Sequence, residues 1–190
     1  MILPVYAYGH PVLKRRASDV DLADASLPKL LDDMWETMYN ANGVGLAAPQ
    51  IGKSARVFLV DTAQLEGEEE GAQVPRGEGV KEAFLNAEIL EEDGDDWAYE
   101  EGCLSIPHVR GEVERAEGVT LRYFTPDGVE HERRFTGVTA RVVLHEYDHI
   151  EGKLFTEQLK PLKRRLVARK LDKIKRGQVE ADYRMKFFRG

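Results

Sequence analysis

The stretch RVVLHEYDHIEG (141–152) contains two of the chain's five histidines, His145 and His149, four residues apart, with Glu146 directly after the first. On an α-helix, residues four apart share a face, so both imidazoles can reach one metal ion. Glu146 lies about 100° further round an ideal helix than His145. It can therefore stand beside the metal without binding it, where a general base acts on water. The pattern predicts metal-assisted hydrolysis but names no substrate.

The competing interpretation is a surface helix with two solvated histidines. Val138 and Val142 precede the histidines at the same i+4 spacing, so this helical face is apolar before it reaches them. Buried imidazoles need polar partners. The apolar face therefore favours a metal site over the solvated alternative.

A third ligand is needed, and several residues compete for the role. In zinc proteases with a third histidine at fixed spacing after HExxH, that histidine would fall at Phe155, so the full pattern is absent. Glu157 and Glu180 lie downstream without a supporting motif. Cys103, in EEGCLSIP, is the better candidate, and His108 ranks well below it.

A lone cysteine is more often a small buried hydrophobic residue than a ligand. Here Gly102 precedes Cys103, and a glycine lets the backbone approach another group closely. Two imidazoles and one thiolate leave a divalent metal one open position, as in catalytic rather than structural sites. A cysteine–histidine nucleophilic pair is a further alternative. It would leave Glu146 and His149 without a role.

The segment GVGLAAPQIG (43–52) predicts a tight backbone passage close to another group, because glycines flank a short apolar block. It is not a phosphate-binding loop, since no strand precedes it and no Lys-Ser/Thr pair ends it. Gln50 follows the proline of this block, and its side-chain amide could donate to an oxyanion.

The predicted elements place these motifs on different parts of the fold. ASLPKLLDDMWETMYNANGVG predicts a helix that begins after Ser26 and packs its apolar stripe in the core. From Phe84 to Phe135 the pattern is mostly that of strands, with a turn at TPDGVE. The period then changes to about 3.6, which predicts a helix from Thr136 through the histidines. The acidic segment Glu66–Glu82 predicts a solvated loop.

Length and composition predict a single domain over residues 1–190 in a reducing compartment, the cytoplasm. The chain has 190 residues, 42% hydrophobic residues, one cysteine and a formal net charge of −7. No apolar run has the length that spans a bilayer, and no cationic region precedes the short apolar start. The net charge argues against general nucleic-acid binding.

The segment from Lys160 to Arg176 is strongly basic. It contains nine Lys/Arg and one Asp, a net charge of +8, whereas the remaining 18 basic and 33 acidic residues give −15. The segment predicts a helix with Leu162, Leu166, Leu171 and Ile174 as its buried stripe. A solvated charged face is the simpler interpretation, and electrostatic attraction of this segment to phosphate groups is the alternative.

With GVGLAAPQ, EGCLS and HEYDH in this order, the sequence resembles the peptide deformylase family, and the likeness extends to ILPVYAYGHPVL and GKLFTEQLKPLKR. The resemblance implies an α+β fold in which antiparallel strands wrap the central helix that carries HExxH, followed by a C-terminal helix. It implies removal of the N-formyl group from the initiator methionine of nascent polypeptides, with release of formate.

The resemblance also implies roles for particular residues. Cys103, His145 and His149 would bind the metal, which is Fe(II) in the cell, with Zn(II), Ni(II) and Co(II) as other ions that such ligands accept. Glu146 would be the general base and then the acid, while the Gln50 side chain and the Leu104 backbone N–H would hold the oxyanion. Two residues would contact the substrate main chain or lie near the bound peptide: Gly45 and Arg110. Five residues would lie along the pocket for the methionine side chain: Val44, Tyr99, Val138, Arg141 and Val142.

The sequence departs from the family at three places. Leu144 stands where a glutamine commonly precedes the first histidine, His10 replaces an acidic residue in an early turn, and the acidic segment is longer. None of these changes removes a proposed ligand or the base. A zinc endopeptidase and a metal-stabilised binding module remain the rival functions at this point.

Overall fold

The computed structural model describes residues 1–67 and 73–188. Three α-helices run over α1 Leu27–Asn40, α2 Gly137–Ile150 and α3 Pro161–Lys175. The strands of the described residues are β1 Val5–Tyr6, β2 Gly45–Ala47, β3 Val57–Asp61, β4 Glu66–Gly67, β5 Val74–Pro75, β6 Lys81–Cys103, β7 Ile106–Phe124, β8 Glu130–Thr136 and β9 Met185–Lys186. Among these residues, no helix combines the length and apolar character that crossing a membrane requires.

The main sheet has five antiparallel strands in the order β2-β3-β6-β7-β8. β6 and β7 form a long hairpin with irregular register, closed by the two-residue loop Leu104–Ser105. The helix α2 packs against β2, β3, β7 and β8. The predicted α+β fold, with antiparallel strands around the helix that carries HExxH and a C-terminal helix after it, is confirmed.

The contact between α2 and the sheet is apolar and rich in aromatic side chains. Phe84 lies at its centre, with ring centroids 4.7 Å from Phe58, 4.5 Å from Tyr123 and 5.6 Å from Phe135. Every residue of β3 is buried, which explains why its sequence, VFLVD, is a continuous apolar run that ends in a single aspartate. This packing fixes the height of α2 above the sheet.

The predicted helix starts are correct in position, although the predicted caps differ. Thr136 precedes α2 and Ser26 precedes α1, but neither side chain makes a capping hydrogen bond. The α1 helix ends at Asn40, and Asn42 beyond it has a positive φ of 54°. Asparagine tolerates this backbone region better than most residues.

The α3 helix lies where the basic segment predicts a helix, but its predicted buried stripe is half wrong. Val167, Leu171 and Ile174 are buried against the cluster that includes Phe155. Leu162 and Leu166 are 71% and 69% exposed. The sequence has apolar residues on two faces of this helix, and only the face centred on Leu171 meets the rest of the protein.

The acidic segment Glu66–Glu82 is more ordered than the predicted solvated loop. β4 and β5 pair in parallel, Val74 and Val80 are buried, and β6 already begins at Lys81. Residues 68–72 of the segment lie outside the described residues.

The segment that follows α3, residues 178–188, folds back along the start of the chain. β9 pairs with β1 in parallel, and the Val5 and Ala7 N–H groups donate to Arg184 and Lys186 carbonyls at 2.9 Å. Val179, Met185 and Phe187 pack on the same cluster as α3. This segment therefore has a defined position beside the β6–β7 hairpin.

Phe84→Ala tests whether the aromatic contact under α2 determines stability. We expect the free energy of unfolding to fall by about 3–5 kcal/mol, because the ring is fully buried among three others. The measurement is denaturant unfolding of the metal-loaded protein. Leu90→Ala is the control, since Leu90 lies on the same strand but is 43% exposed. A loss below about 1 kcal/mol for Phe84→Ala would contradict the assignment.

Candidate active site

Three potential metal ligands converge at the junction of α2 and the β6–β7 hairpin. The ligand atoms of Cys103, His145 and His149 all lie within 4.8 Å of one another. The helix α2 contributes the two histidines, whose ring centroids are 5.1 Å apart, and Cys103 is the last residue of β6. The Cys103 Sγ lies 3.2 Å from His149 Nε2. The spacing rule for residues four apart on a helix therefore holds here.

The donor set fits a divalent transition-metal ion. The Nδ1 of His145 is hydrogen-bonded to Glu101 Oε2 at 2.8 Å, so its Nε2 is left for a metal. Burial lowers the pKa of His149 well below its usual value, which keeps this imidazole neutral with a lone pair to donate. One thiolate and two imidazoles suit iron, zinc, nickel or cobalt.

Glu146 stands beside this group and is itself buried. Its side chain is 4% exposed, and its Oε2 has no hydrogen-bond partner among the described residues. Burial raises the pKa of the Glu146 carboxyl to about 7, and a cation held by the three ligands would lower that pKa again. A carboxylate with a free oxygen beside the three potential ligands can accept a proton and later return it.

Gly45 makes room for this carboxylate. A Cβ at position 45 would lie 2.4 Å from Glu146 Oε1, so any side chain there would displace Glu146. The tight backbone passage predicted for GVGLAAPQIG is therefore confirmed, and the group that it approaches is Glu146.

Gln50 and the Leu104–Ser105 loop face the Cys103 side of the group. The Gln50 Oε1 accepts the Ala47 N–H at 2.8 Å, which directs its NH₂ toward Cys103 Sγ and Ser105 Oγ, both at 3.4 Å. Gln50 is fully buried, at 1% exposure. Its amide donor is therefore held in place before any substrate arrives.

A cleft of about 600 Å³ opens onto this site. Except for His149, which is buried, every predicted site residue lines the cleft: Val44, Gly45, Gln50, Tyr99, Cys103, Leu104, Arg110, Val138, Arg141, Val142, His145 and Glu146. The structure thus brings together the blocks GVGLAAPQ, EGCLS and HEYDH, which are separated in the sequence by 50 and 39 residues.

The weaker ligand candidates lie elsewhere. His108 lines the cleft, but its Nε2 contacts the Glu180 carbonyl at 2.7 Å and it is not in the ligand group. Glu157 forms an ion pair with Lys14. Of the four candidates for the third ligand, only Cys103 has its ligand atom grouped with those of His145 and His149 in the described residues.

Arg141 forms part of the cleft wall and is 2% exposed. Its Nη1 donates to the Val113 carbonyl at 3.1 Å and its Nη2 to the Trp97 carbonyl at 2.6 Å. The guanidinium carbon lies 4.7 Å from the Trp97 ring centroid and 5.8 Å from that of Tyr99. The charged end is therefore held by protein groups, and the cation–π contacts keep it against aromatic faces.

Glu101 is a buried site residue that the sequence reasoning missed. Its carboxylate accepts from His145, from Arg141 Nη1 at 3.2 Å, and from Arg115 Nε and Nη2 at 2.7 and 3.0 Å. Burial alone would raise the pKa of Glu101, but the hydrogen bonds from His145 and Arg115 outweigh it and hold the pKa far below its usual range. Glu101 is therefore ionised and orients the His145 ring.

Arg115 extends this network to the second half of the helix motif. Its Nη1 donates to Asp148 Oδ2 at 2.8 Å, and Gln158 Nε2 donates to the same oxygen at 2.6 Å.

The sequence contained a signal for Glu101, since this residue lies two residues before Cys103 and strand residues two apart share a face. Its partner Arg115 had no signal, because nothing local pairs it with position 101.

A buried glutamate beside a Cys–His–His group that opens to a cleft is the arrangement of a metal-dependent hydrolase.

Comparison with known proteins identifies the family of hydrolases to which this chain is similar. Residues 2–165 match the sequence model of the polypeptide deformylase family. The peptide deformylase of Christiangramia forsetii is 46% identical over 189 residues, covering 98% of this chain and 96% of that protein. That of Cytophaga hutchinsonii is 49% identical over 187 residues, covering 98% of each chain.

Solved structures agree with these matches. The crystal structure of a peptide deformylase from Legionella pneumophila aligns with a TM-score of 0.79 at 39% identity, covering 94% of this chain and 98% of that one. The chain therefore belongs to the peptide deformylase family, metal-dependent hydrolases that remove the N-formyl group from nascent polypeptides. The hydrolase function expected from HEYDH and the resemblance is confirmed, and the endopeptidase and binding-module alternatives are set aside.

Glu101→Gln tests the orienting carboxylate. We expect Zn²⁺ affinity to fall on the order of 10- to 100-fold, because a neutral amide supports the His145 ring less well and leaves two guanidinium groups short of charge. The measurement is metal competition with a chelator. Glu88→Gln is the matched control, since Glu88 lies on the same strand and pairs with Arg122 at the surface. Unchanged affinity in Glu101→Gln would contradict this role.

Proposed function

We propose that Cys103, His145 and His149 bind one divalent metal ion and that Fe(II) is the ion used in the cell. The single observation that carries this proposal is the convergence of the three ligand atoms within 4.8 Å at the base of the cleft, beside Glu146. Zn(II), Ni(II) and Co(II) accept the same donors, so iron follows from the family resemblance and a reducing cytoplasm. A ferrous centre bound by a thiolate is expected to lose activity in air.

Glu146 is the proton carrier of the proposed reaction. The metal, when bound, supplies a Lewis acid that lowers the pKa of water from about 15.7 to about 7. Glu146 accepts the proton of the water that attacks the formyl carbon, using the oxygen that has no hydrogen-bond partner in the part of the chain that the structure describes. It then donates this proton to the leaving amine nitrogen, which releases formate and a free amino terminus.

Gln50 and Leu104 are the proposed oxyanion donors. The Gln50 NH₂ lies 3.4 Å from Cys103 Sγ, and Leu104, which follows Cys103 in the chain, lines the same cleft as Glu146. Preorganised donors stabilise charge that develops in the transition state, and each is typically worth 10²–10³ in rate. The Ala47 contact holds Gln50 ready for this role.

The remaining cleft residues are proposed to bind the formylmethionyl peptide. The Gly45 backbone, at the start of the edge strand β2, pairs with the substrate main chain, and Arg110 lies near the bound peptide. The methionine side chain occupies a pocket lined by Val44, Tyr99, Val138, Arg141 and Val142. Its walls are mostly apolar, as a thioether chain requires.

The site proposal is tested with Glu146→Ala. We expect formate release from formyl-Met-Ala-Ser to fall on the order of 10²- to 10⁴-fold, because the variant removes the proton carrier but no metal ligand. Protein is purified anaerobically, and its metal content is determined in the same sample, which also tests the assignment of iron. Glu132→Ala, an exposed change on β8, is the control. Substantial release by metal-loaded Glu146→Ala would exclude Glu146 as the base.

We further propose that residues 1–190 act as one catalytic domain in the cytoplasm. The ligands come from β6 and α2, and α3 packs on β7 of the same hairpin. The lone cysteine, a proposed ligand, suits a reducing compartment. A second calorimetric transition, or recovery of the protein outside the cytoplasmic fraction, would contradict this proposal.

The basic helix α3 is proposed to contact the ribosome, where the nascent substrate emerges. The support is its net charge of +8 between Lys160 and Arg176 and the exposure of Leu162 and Leu166 between those charges. Ribosomal RNA phosphates would attract this surface, in a salt-dependent manner. The body of the protein, at −15, would not bind free nucleic acid.

Charge reversal at Lys163, Arg164 and Arg165 tests this contact. We expect ribosome affinity in co-sedimentation to fall by about tenfold or more at low salt, while hydrolysis of a short formylated peptide is unchanged. Reversal of Lys29, Lys53 and Arg122, which lie away from α3, is the control for net charge. Binding that is insensitive to salt and to the α3 reversal would refute the proposal.

A further inference from the structure

The loop Leu104–Ser105 is held in place from outside. It is the two-residue connection between β6 and β7, directly after the ligand Cys103. Two-residue hairpin loops usually adopt turns with positive φ, which match the strand twist. Neither Leu104 nor Ser105 has a positive φ. The loop therefore gains little from turn geometry of its own.

Three hydrogen bonds from distant parts of the chain hold the loop. The Ser105 carbonyl accepts the Tyr8 N–H at 2.8 Å, and Ser105 Oγ lies 3.4 Å from Gln50 Nε2. The Leu104 carbonyl accepts the Tyr183 hydroxyl at 2.7 Å. Only this last bond acts on Leu104 itself, the residue whose N–H is proposed to hold the oxyanion.

Tyr183 belongs to the segment 178–188, which is tied down on both sides of it. Before Tyr183, the Glu180 carbonyl contacts His108 Nε2 at 2.7 Å. After it, β9 pairs with β1, and Lys186 Nζ donates to the Tyr6 hydroxyl at 3.0 Å. Burial raises the pKa of Tyr183, so its hydroxyl stays protonated and available as a donor.

The same segment forms a wall of the cleft. Ala181, Asp182 and Tyr183 line it together with Leu104. The match to the family model covers residues 2–165, so this wall lies beyond the matched part. The cleft of this chain thus has a component that the family model does not describe.

We propose that Tyr183 is a positioning residue for the reaction: its hydroxyl holds the Leu104 carbonyl, which limits rotation at Leu104 so that the Leu104 N–H points at the developing oxyanion. This inference rests on the oxyanion role of Leu104 in the proposed function. Fixing the carbonyl of Leu104 restrains the rotation of the residue and, through it, the direction of its N–H. The interaction matters most when charge develops, so it affects turnover more than substrate binding.

Tyr183→Phe tests the proposal, because it keeps the ring and removes only the hydroxyl. We expect kcat for formyl-Met-Ala-Ser to fall on the order of tenfold with KM within about twofold of wild type, since a loosened donor retains part of its effect. Tyr6→Phe is the matched control: it removes the other tyrosine hydroxyl that contacts this segment, without touching Leu104. Its kcat and KM should equal those of wild type.

The amide hydrogen exchange rate of Leu104, measured by NMR on the zinc-loaded proteins, reports how firmly the loop is held and does not depend on turnover. We expect faster exchange in Tyr183→Phe than in wild type and Tyr6→Phe. An unchanged kcat in Tyr183→Phe, an equal fall in both variants, a rise in KM alone, or unchanged Leu104 exchange would each overturn the proposal. Absence of formate release from metal-loaded wild type would instead overturn the proposed function, and the exchange data would still decide whether Tyr183 holds Leu104.

Discussion

The buried carboxylate of Glu101 is the contact on which the geometry of the site depends. It accepts hydrogen bonds from His145 on α2, from Arg141 one turn earlier on the same helix, and from Arg115 on β7. A charge with 5% exposure is tolerated only when it is fully paired. The two guanidinium groups balance Glu101 and Asp148, so the network is close to neutral. It therefore fixes the helix against the hairpin and orients one ligand ring in the same contact.

The proposed catalytic groups are placed by close packing as well as by charge. Gly45 lets β2 lie against Glu146, and the aromatic cluster around Phe84 sets the height of α2 above the sheet. Gln50 is held by Ala47 of β2, and the Leu104–Ser105 loop is held by Gln50 and Tyr183. The strand β2 therefore helps to place both Glu146, the proposed base, and Gln50, a proposed oxyanion donor. Such rigidity is what preorganised donors and a positioned base require.

The protein is electrostatically divided between the acidic body and the basic α3. The apolar face of α3 centred on Leu171 packs on the core, which leaves Leu162 and Leu166 exposed among the Lys and Arg side chains. These two leucines and the surrounding positive charge form the surface that is proposed to contact the ribosome. The segment after α3, residues 178–188, then returns to the cleft, where Ala181, Asp182 and Tyr183 form part of the wall.

Local patterns in the sequence were enough to predict the chemistry and the class of fold. HEYDH on a helical pattern, EGCLS after a strand pattern and GVGLAAPQ each carry local signals, and the ligands, the base and Gln50 were all predicted from them. Local patterns cannot report contacts between residues distant in the chain. Only the tertiary structure decided that Arg115 pairs with Glu101, that Leu171 rather than Leu162 faces the core, and that Tyr183 reaches Leu104 across 79 positions. These choices depend on which surfaces meet, and that is settled by the packing of the whole chain.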